Sequence, residues 1–130
     1  MDFVRCTVKS SGIADTITED GLQLLDLGGR RSERQKWRRC FDAVAGVVFV
    51  ASVGDFMDPL DEDPTVNRLT ESVQIFEEIV NHRLCQGIPV VVTFTKVDLL
   101  ADALRRWRLQ ELYPEYTVMG TIRFLLEMFS

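Results

Sequence analysis

Residues 46–53 have the sequence GVVFVASV and residues 88–94 have the sequence IPVVVTF, and these two short apolar runs decide the fold. Both runs are rich in β-branched side chains and lack polar alternation, which is typical of parallel strands buried on both faces. Between them, residues 65–83 carry apolar side chains at helical spacing, and Asp63, which is followed by a proline, is the candidate N-cap. A strand, a helix and a second strand in this order predict an α/β fold.

An antiparallel hairpin is predicted before the first apolar run. Residues 12–18 and residues 22–26 flank a turn candidate, Glu-Asp-Gly, at residues 19–21. We therefore expect a mostly parallel sheet with this hairpin at one edge and with helices on both faces. We expect a single domain over residues 1–130, because a chain of this length that is 46% hydrophobic can bury one core.

Three further helices are predicted. Residues 30–42 are highly charged and place Trp37 and Phe41 four residues apart, so we expect an exposed amphipathic helix there. Helical spacing also predicts helices at residues 101–112 and 121–129, separated by a break at the sequence YPEY.

Charge and cysteine content exclude several classes of protein. The formal net charge of −5 argues against a nucleic-acid binder that depends on phosphate contacts. Three cysteines without any C-x-x-C pair favour a reduced protein over a disulfide-stapled secreted one.

No apolar run is long enough to span a bilayer. We expect a cytoplasmic protein that meets the inner face of the plasma membrane only through partners.

The first candidate site is the motif Asp26-Leu27-Gly28-Gly29. A carboxylate at the end of a strand can hold Mg²⁺ through water, and glycines let backbone N–H groups approach an anion closely. An ordinary turn between a strand and a helix has the same composition, so the motif alone leaves both interpretations open.

The second candidate site is Thr95-Lys96-Val97-Asp98, directly after the second apolar run. A carboxylate there can accept two hydrogen bonds from the ring N–H and the amino group of guanine, while the lysine stem lies over a loop or a base. The alternative is that Asp98 is the N-cap of the next helix. Because ligands of open α/β sheets bind at the carboxyl ends of strands, the two motifs together predict one ligand site.

These motifs resemble the heterotrimeric G-protein α-subunit family. Residues 26–37, together with Cys40 and Phe41, are similar to its second switch, and residues 9–13 (KSSGI) to its first. Residues 95–98 resemble its guanine-specificity motif. The resemblance implies a partial P-loop NTPase-like fold of the Ras-like G-domain type, GTP or GDP and Mg²⁺ as ligands, and a GTP-binding transducer of G-protein-coupled receptor signalling.

The resemblance also implies a set of nucleotide-binding positions. They are Arg5, Cys6, Thr7, Ser10, Asp26, Gly28, Gly29, Thr95, Lys96 and Asp98. Ser10 and Asp26 stand where the family holds Mg²⁺, and Gly29 stands where a backbone N–H meets the γ-phosphate. Lys96 and Asp98 stand where the family recognises guanine.

A second implied surface binds the G-protein βγ dimer, a receptor or an effector. It consists of Arg34, Lys36, Trp37, Cys40, Phe41 and Glu71. Arg34 and Glu71 match the charge pair that couples the second switch to its neighbouring helix in the triphosphate state. An exposed tryptophan beside cations is a plausible hot spot, and a buried, packed Trp37 is the alternative.

Departures from the family pattern concern phosphate binding and catalysis. The sequence has no G-x-x-x-x-G-K-[S/T] phosphate loop, so we expect a central fragment of the domain with weakened nucleotide affinity. The family's in-cis arginine finger is Thr7 here, its water-orienting glutamine is Arg30, and the leading asparagine of its guanine motif is Thr95. A guanidinium has no acceptor with which to orient water, so we expect negligible GTP hydrolysis. A non-enzymatic interaction module that binds βγ or an effector and a truncated gene model remain as alternatives.

Overall fold

The computed structural model describes residues 12–41, 44–108, 113–114 and 121–130, and the chain forms two compact units, Met1–Val44 and Ala45–Ser130. The described strands and helices, in chain order, are β1 (Ile13–Ile17), β2 (Gln23–Leu27), α1 (Arg38–Phe41), β3 (Val47–Ser52), α2 (Arg68–Val80), β4 (Val90–Thr95), α3 (Val97–Arg106) and α4 (Thr121–Met128). Short 3₁₀ turns occur at Arg34–Lys36 and Arg83–Cys85. The predicted α/β class, with a parallel strand pair and an antiparallel hairpin, is confirmed.

The first unit contains the predicted hairpin. Strands β1 and β2 pair antiparallel with Ile13 opposite Leu27 and Ile17 opposite Gln23. The turn closes where the N–H of Gly21 donates to the carbonyl of Thr18 at 2.9 Å. Gly21 has a φ of +79°, a backbone conformation that glycine adopts without steric cost. Within the described residues β1 and β2 form a two-stranded sheet of their own, whereas the sequence predicts a hairpin at the edge of one larger sheet.

The predicted helix over residues 30–42 is wrong, because the described residues 30–41 form only a 3₁₀ turn and the single turn α1. Its side chains bond back to the hairpin. The Glu33 Oε2 accepts the N–H of Gly12 at 3.1 Å, and the indole N–H of Trp37 donates to the carbonyl of Gly28 at 3.0 Å. These tertiary bonds set the path of the segment and override the local helical spacing.

The second unit is built on the parallel pair β3 and β4, in which Val47 lies opposite Val90 and Ser52 opposite Thr95. One face carries the aromatic side chains that meet α2 and the end of α4. On the other face, Val48, Val50 and Val91 are 58–67% exposed. The apolar runs predict burial on both faces of the strands, and within the described residues only one face is covered. The prediction fails because an unbroken run of β-branched side chains looks the same whether one face or both faces are covered.

The core of this unit is aromatic. The side chain of Phe129 lies at ring-centroid distances of 6.1 Å from Phe49, 5.4 Å from Phe76 and 5.6 Å from Phe94. The other buried members of the cluster are Ala51, Val53, Phe56, Leu69, Leu100, Tyr113 and Leu125. The predicted helix at residues 121–129 is confirmed as α4, and it supplies the last part of this core.

Helix α2 begins later than predicted and has a different N-cap. The Oδ1 of Asn67 accepts the N–H groups of Leu69 at 2.9 Å and Thr70 at 3.1 Å. Asp63 is not the cap, because its Oδ1 instead accepts the N–H of Thr65 at 3.1 Å in a local turn. The amide of Asn67 also donates to the carbonyl of Phe56, which joins the start of α2 to the loop after β3. Asn67 therefore satisfies groups on two elements at once.

We expect Asn67→Ala to lower the free energy of unfolding by about 1–2 kcal/mol, because the first turn of α2 loses its cap. Asp63→Ala is the matched control, and we expect it to cost about 0.5 kcal/mol or less, because the bonds of the Asp63 side chain to Thr65 lie in an exposed turn outside the helix. Urea unfolding followed by circular dichroism measures both. A larger loss for Asp63→Ala than for Asn67→Ala would contradict the assignment of the cap.

Candidate functional site

The carboxyl ends of β3 and β4 meet at one edge of the parallel pair. The ladder continues past Ser52 and Thr95, because the N–H of Val53 donates to the carbonyl of Thr95 at 3.1 Å. Asp55 lies three residues after the end of β3, and Lys96 directly follows β4. Ligands of parallel α/β sheets bind at this edge, so the second unit places charged side chains where such a site forms.

Lys96 has a left-handed backbone, with φ +58° and ψ +34°, and it is the one non-glycine residue with positive φ among those the structure describes. Such a conformation costs about 1–3 kcal/mol and persists only where the surroundings fix it. The carbonyl of Lys96 accepts the N–H groups of Leu99 and Leu100 at 3.1 Å, which starts α3. The N-cap residue is therefore Lys96, and the N-cap interpretation of Asp98 is wrong. Asp98 lies exposed in the first turn of α3, where the helix dipole favours a carboxylate.

The loop after β3 touches the backbone of Lys96. A Cβ at Gly54 would lie 2.5 Å from the Lys96 carbonyl oxygen and 2.8 Å from the Cβ of Leu99. Both distances are below van der Waals contact, so only glycine fits at position 54. This contact brings the side chain of the next residue, Asp55, to the lysine.

Asp55 forms an ion pair with Lys96, in which the lysine Nζ donates to Oδ2 of the carboxylate. The Oγ of Ser52 donates to the same oxygen at 2.9 Å. Burial acts to raise the pKa of Asp55, but the hydrogen bonds from Lys96 and Ser52 and the nearby charges of Lys96 and Arg68 outweigh it, so the pKa lies below the ordinary aspartate value. The motifs in the sequence do not single out Ser52, Gly54 or Asp55. The signal was nonetheless present, since Asp55 lies two residues after the apolar run at residues 46–53, just as Lys96 lies two residues after the run at residues 88–94.

The first unit contains the other predicted motif. Asp26 is exposed on β2, opposite Ala14. Gly28 is buried, and its N–H donates to the carbonyl of Gly12 at 2.9 Å. Gly29 is exposed, and a Cβ built on it would meet no atom within 4 Å. The open space around Gly29 leaves its backbone accessible to an anion.

The segment after Gly29 carries the predicted partner surface. Lys36 is half exposed and pairs with Glu33 at 2.5 Å, and this hydrogen bond lowers the pKa of the Glu33 carboxyl. Trp37 is half buried, whereas Cys40 and Phe41 are buried. Within this predicted surface, Lys36 and part of Trp37 are therefore exposed, whereas Cys40 and Phe41 are covered.

The sequence of this chain matches known proteins along almost its whole length. The model of the family described as G-alpha, G-protein alpha subunit, matches residues 1–129. The chain belongs to the G-protein alpha subunit family. It is 41% identical over 119 residues to the guanine nucleotide-binding protein alpha-4 subunit of Dictyostelium discoideum. The matched region covers 89% of this chain and 34% of that protein.

Two further members of the family show the same relationship. The chain is 38% identical over 120 residues to the guanine nucleotide-binding protein alpha-2 subunit of Saccharomyces cerevisiae, covering 89% of this chain and 27% of that protein. It is 35% identical over 136 residues to the alpha-4 subunit of Caenorhabditis elegans, covering 99% of this chain and 38% of that protein. The chain thus spans between 27% and 38% of the length of these three relatives.

The site positions predicted from the sequence divide between the two units. Asp26, Gly28, Gly29 and Arg34 lie in the first, and Glu71, Thr95, Lys96 and Asp98 lie in the second. Arg5, Cys6, Thr7 and Ser10 lie outside the described residues. Arg30 is exposed, and its carbonyl accepts the N–H of Glu33 at 2.8 Å. The Nε of Arg34 donates to the carbonyl of Gly29 at 3.3 Å. Glu71 is buried. The charge pair between Arg34 and Glu71 stays a prediction.

Metal-binding clusters and membrane-spanning helices are absent from the described part of the chain. Its His, Cys, Asp and Glu side chains form no group of three or more that could hold a metal ion. Because Ser10 lies outside the described residues, the Mg²⁺ site of the G-alpha family stays a prediction for this chain. None of the helices between residues 12 and 130 that the structure describes is long and apolar enough to cross a membrane.

Proposed function

We propose that this chain binds guanine nucleotides and works as a GTP-binding transducer in G-protein-coupled receptor signalling, without hydrolysing GTP at a useful rate. The observation that carries the proposal is the placement of Lys96 and Asp98 at the carboxyl edge of the parallel pair, where α3 begins. Family membership adds support, since each of the three relatives above is named a guanine nucleotide-binding protein.

Asp98 supplies the chemistry that distinguishes guanine from the other bases. Its exposed carboxylate has two acceptor oxygens, which match the ring N–H and the amino group on one edge of guanine. The first turn of α3 holds the carboxylate on a helix rather than on a loop, which limits its motion. Lys96 adds an aliphatic stem that can lie over the base while its ammonium group is held elsewhere.

Phosphate binding is assigned to residues of the first unit. Gly29 offers an accessible backbone, and Asp26 and Ser10 would hold Mg²⁺ through oxygen atoms, the ligands that Mg²⁺ prefers. No G-x-x-x-x-G-K-[S/T] stretch is present in the sequence to wrap the phosphates with backbone N–H groups. We therefore assign the larger share of the selectivity to the base.

The residues at the family's catalytic positions do not suit hydrolysis. Arg30 carries five N–H donors and no acceptor, so it cannot take a hydrogen bond from an attacking water as a glutamine amide does. Thr7 brings no positive charge to the γ-phosphate. When bound, Mg²⁺ would neutralise phosphate charge, but the orientation of water depends on the side chains of this chain.

Asp98→Asn should weaken the binding of a non-hydrolysable GTP analogue at least about tenfold, because a lost hydrogen bond to a charged group is worth about 1.5–3 kcal/mol. Isothermal titration calorimetry with Mg²⁺ measures this affinity. Asp102→Asn, one turn further along α3 and exposed, is the matched control and should leave the affinity unchanged. The unsubstituted chain should bind the guanine nucleotide and reject ATP; equal affinity for both nucleotides, or none for either, contradicts the proposal.

A phosphate-release assay should find negligible GTP turnover by the purified chain, because both catalytic positions have changed. Arg30→Gln alone should not restore activity, since Thr7 still leaves the developing charge on the phosphate unneutralised. Turnover comparable with that of a complete α subunit measured alongside would contradict the hydrolysis-deficient assignment.

A second candidate function is a non-enzymatic module that binds a G-protein βγ dimer or an effector. The observation in its favour is that tertiary hydrogen bonds hold the segment around Trp37 in one conformation, with Lys36 exposed beside it. A rigid aromatic side chain beside a cation loses little conformational entropy on binding and is typical of interface hot spots.

We expect Trp37→Ala and Lys36→Glu each to weaken capture of a βγ dimer by about tenfold or more, because hot-spot residues contribute about 2 kcal/mol or more. Surface plasmon resonance with immobilised βγ measures the affinity. Arg105→Glu, a charge reversal at an exposed position on α3, is the control and should have no effect. Capture that survives both substitutions in the segment would contradict this function.

A further inference from the structure

The ion pair between Asp55 and Lys96 has no role among the positions that family membership assigns. Lys96 belongs to the guanine motif, but Ser52 and Asp55 do not: Ser52 is the last residue of β3, and Asp55 lies in the loop that follows it. The Asp55 side chain is 12% exposed and that of Lys96 is 38% exposed. A carboxylate is rarely so covered unless its charge is compensated, and here the compensating group is the lysine of the base site.

The backbone at this junction is held without the ion pair. The N–H of Val53 donates to the carbonyl of Thr95, and the carbonyl of Lys96 caps α3. The close contact at Gly54 fixes the distance between the loop and Lys96. Because main-chain contacts already join the two strand ends, the carboxylate of Asp55 acts mainly on the lysine side chain.

A lysine side chain has four rotatable bonds and loses considerable conformational freedom when it is fixed. Here the ammonium group is fixed by the Asp55 carboxylate, and the carboxylate is itself fixed by the hydroxyl of Ser52. The aliphatic stem between the backbone of Lys96 and its ammonium therefore spans the edge between β3 and β4. A stem ordered before a ligand arrives spares the ligand the cost of ordering it.

We propose that Asp55 is a positioning residue for guanine-nucleotide binding, which holds the Lys96 ammonium so that the lysine stem is already ordered at the base site. This inference rests on the proposed function, since it assigns Asp55 a part in that same site. The groups that recognise the base remain Lys96 and Asp98, and Asp55 acts through Lys96.

A double-mutant cycle on the full chain tests this role, with guanine-nucleotide affinity measured by calorimetry. Asp55→Asn should weaken binding about three- to tenfold, which corresponds to the cost of ordering one flexible side chain. Asp55→Glu keeps the charge and should restore most of the affinity. In the Lys96→Met background, Asp55→Asn should have no further effect, because the ammonium that Asp55 holds is already gone. Asp102→Asn, which removes the exposed ion pair of Asp102 with Arg105 at 2.9 Å, is the control and should leave the affinity unchanged.

The outcomes separate this inference from the proposed function. If the unsubstituted chain binds guanine nucleotide and Asp55→Asn binds equally well, Asp55 is a structural residue only and the inference is overturned. Losses that add in the double variant would also overturn it, since they would place Asp55 outside the action of Lys96. If the unsubstituted chain binds no guanine nucleotide, the proposed function fails first and the positioning role fails with it.

Discussion

The contact of Gly54 with the backbone of Lys96 is the constraint on which the second unit depends. A side chain at position 54 would meet the Lys96 carbonyl oxygen at 2.5 Å, so the loop after β3 can reach the start of α3 only through a glycine. The contact is coupled to the left-handed backbone of Lys96, which turns the chain sharply from β4 into α3. Without that turn, Asp98 would not lie on the first turn of the helix, and the guanine motif would lose its geometry.

The first unit is organised by a different kind of interaction. The described residues of this unit form one hairpin and two short helical turns. Helical propensity does not determine the path of the segment that follows the hairpin. Hydrogen bonds from the Gly12 N–H to Glu33 and from the Trp37 indole to the Gly28 carbonyl hold the segment that follows the hairpin. In the first of these bonds the acceptor is the charged carboxylate of Glu33, whose pKa is lowered by its hydrogen bond with Lys36. A protonated carboxyl is a weaker acceptor than a carboxylate. The stabilisation that Glu33 gives to the segment is therefore present at neutral pH and is lost as the pH falls through the lowered pKa of Glu33.

The sequence predicts well where local pattern and tertiary structure agree. The strands β3 and β4, the hairpin and α4 follow from β-branched runs, a glycine turn and helical spacing, and each lies within two residues of its predicted bounds. Prediction is wrong where side chains distant in the sequence decide the outcome. Asn67 caps α2 because it also reaches the Phe56 carbonyl, and residues 30–42 leave the helical path because Glu33 and Trp37 bond to the hairpin.

The same limit applies to the candidate site. Lys96 and Asp98 can be found in the sequence because they lie within one four-residue motif at the end of a strand. Ser52 and Asp55 are separated from Lys96 by more than forty residues, and only the parallel register of β3 and β4 brings them to it. A rule that inspects every charged residue within three residues of the end of a parallel strand would have identified Asp55, because all parallel strands deliver such residues to one edge.

The proposed function assigns base recognition and hydrolysis to different residues of this chain. The residues that would recognise guanine, with the ion pair that supports them, lie within the second unit and depend on its aromatic core and on Gly54. The altered catalytic position Arg30 lies in the first unit, whose conformation rests on a few hydrogen bonds. An arginine where the family has glutamine lacks an acceptor for water. Under the proposed function, this change falls on a different set of residues from those assigned to the base, so loss of hydrolysis would not by itself remove guanine recognition.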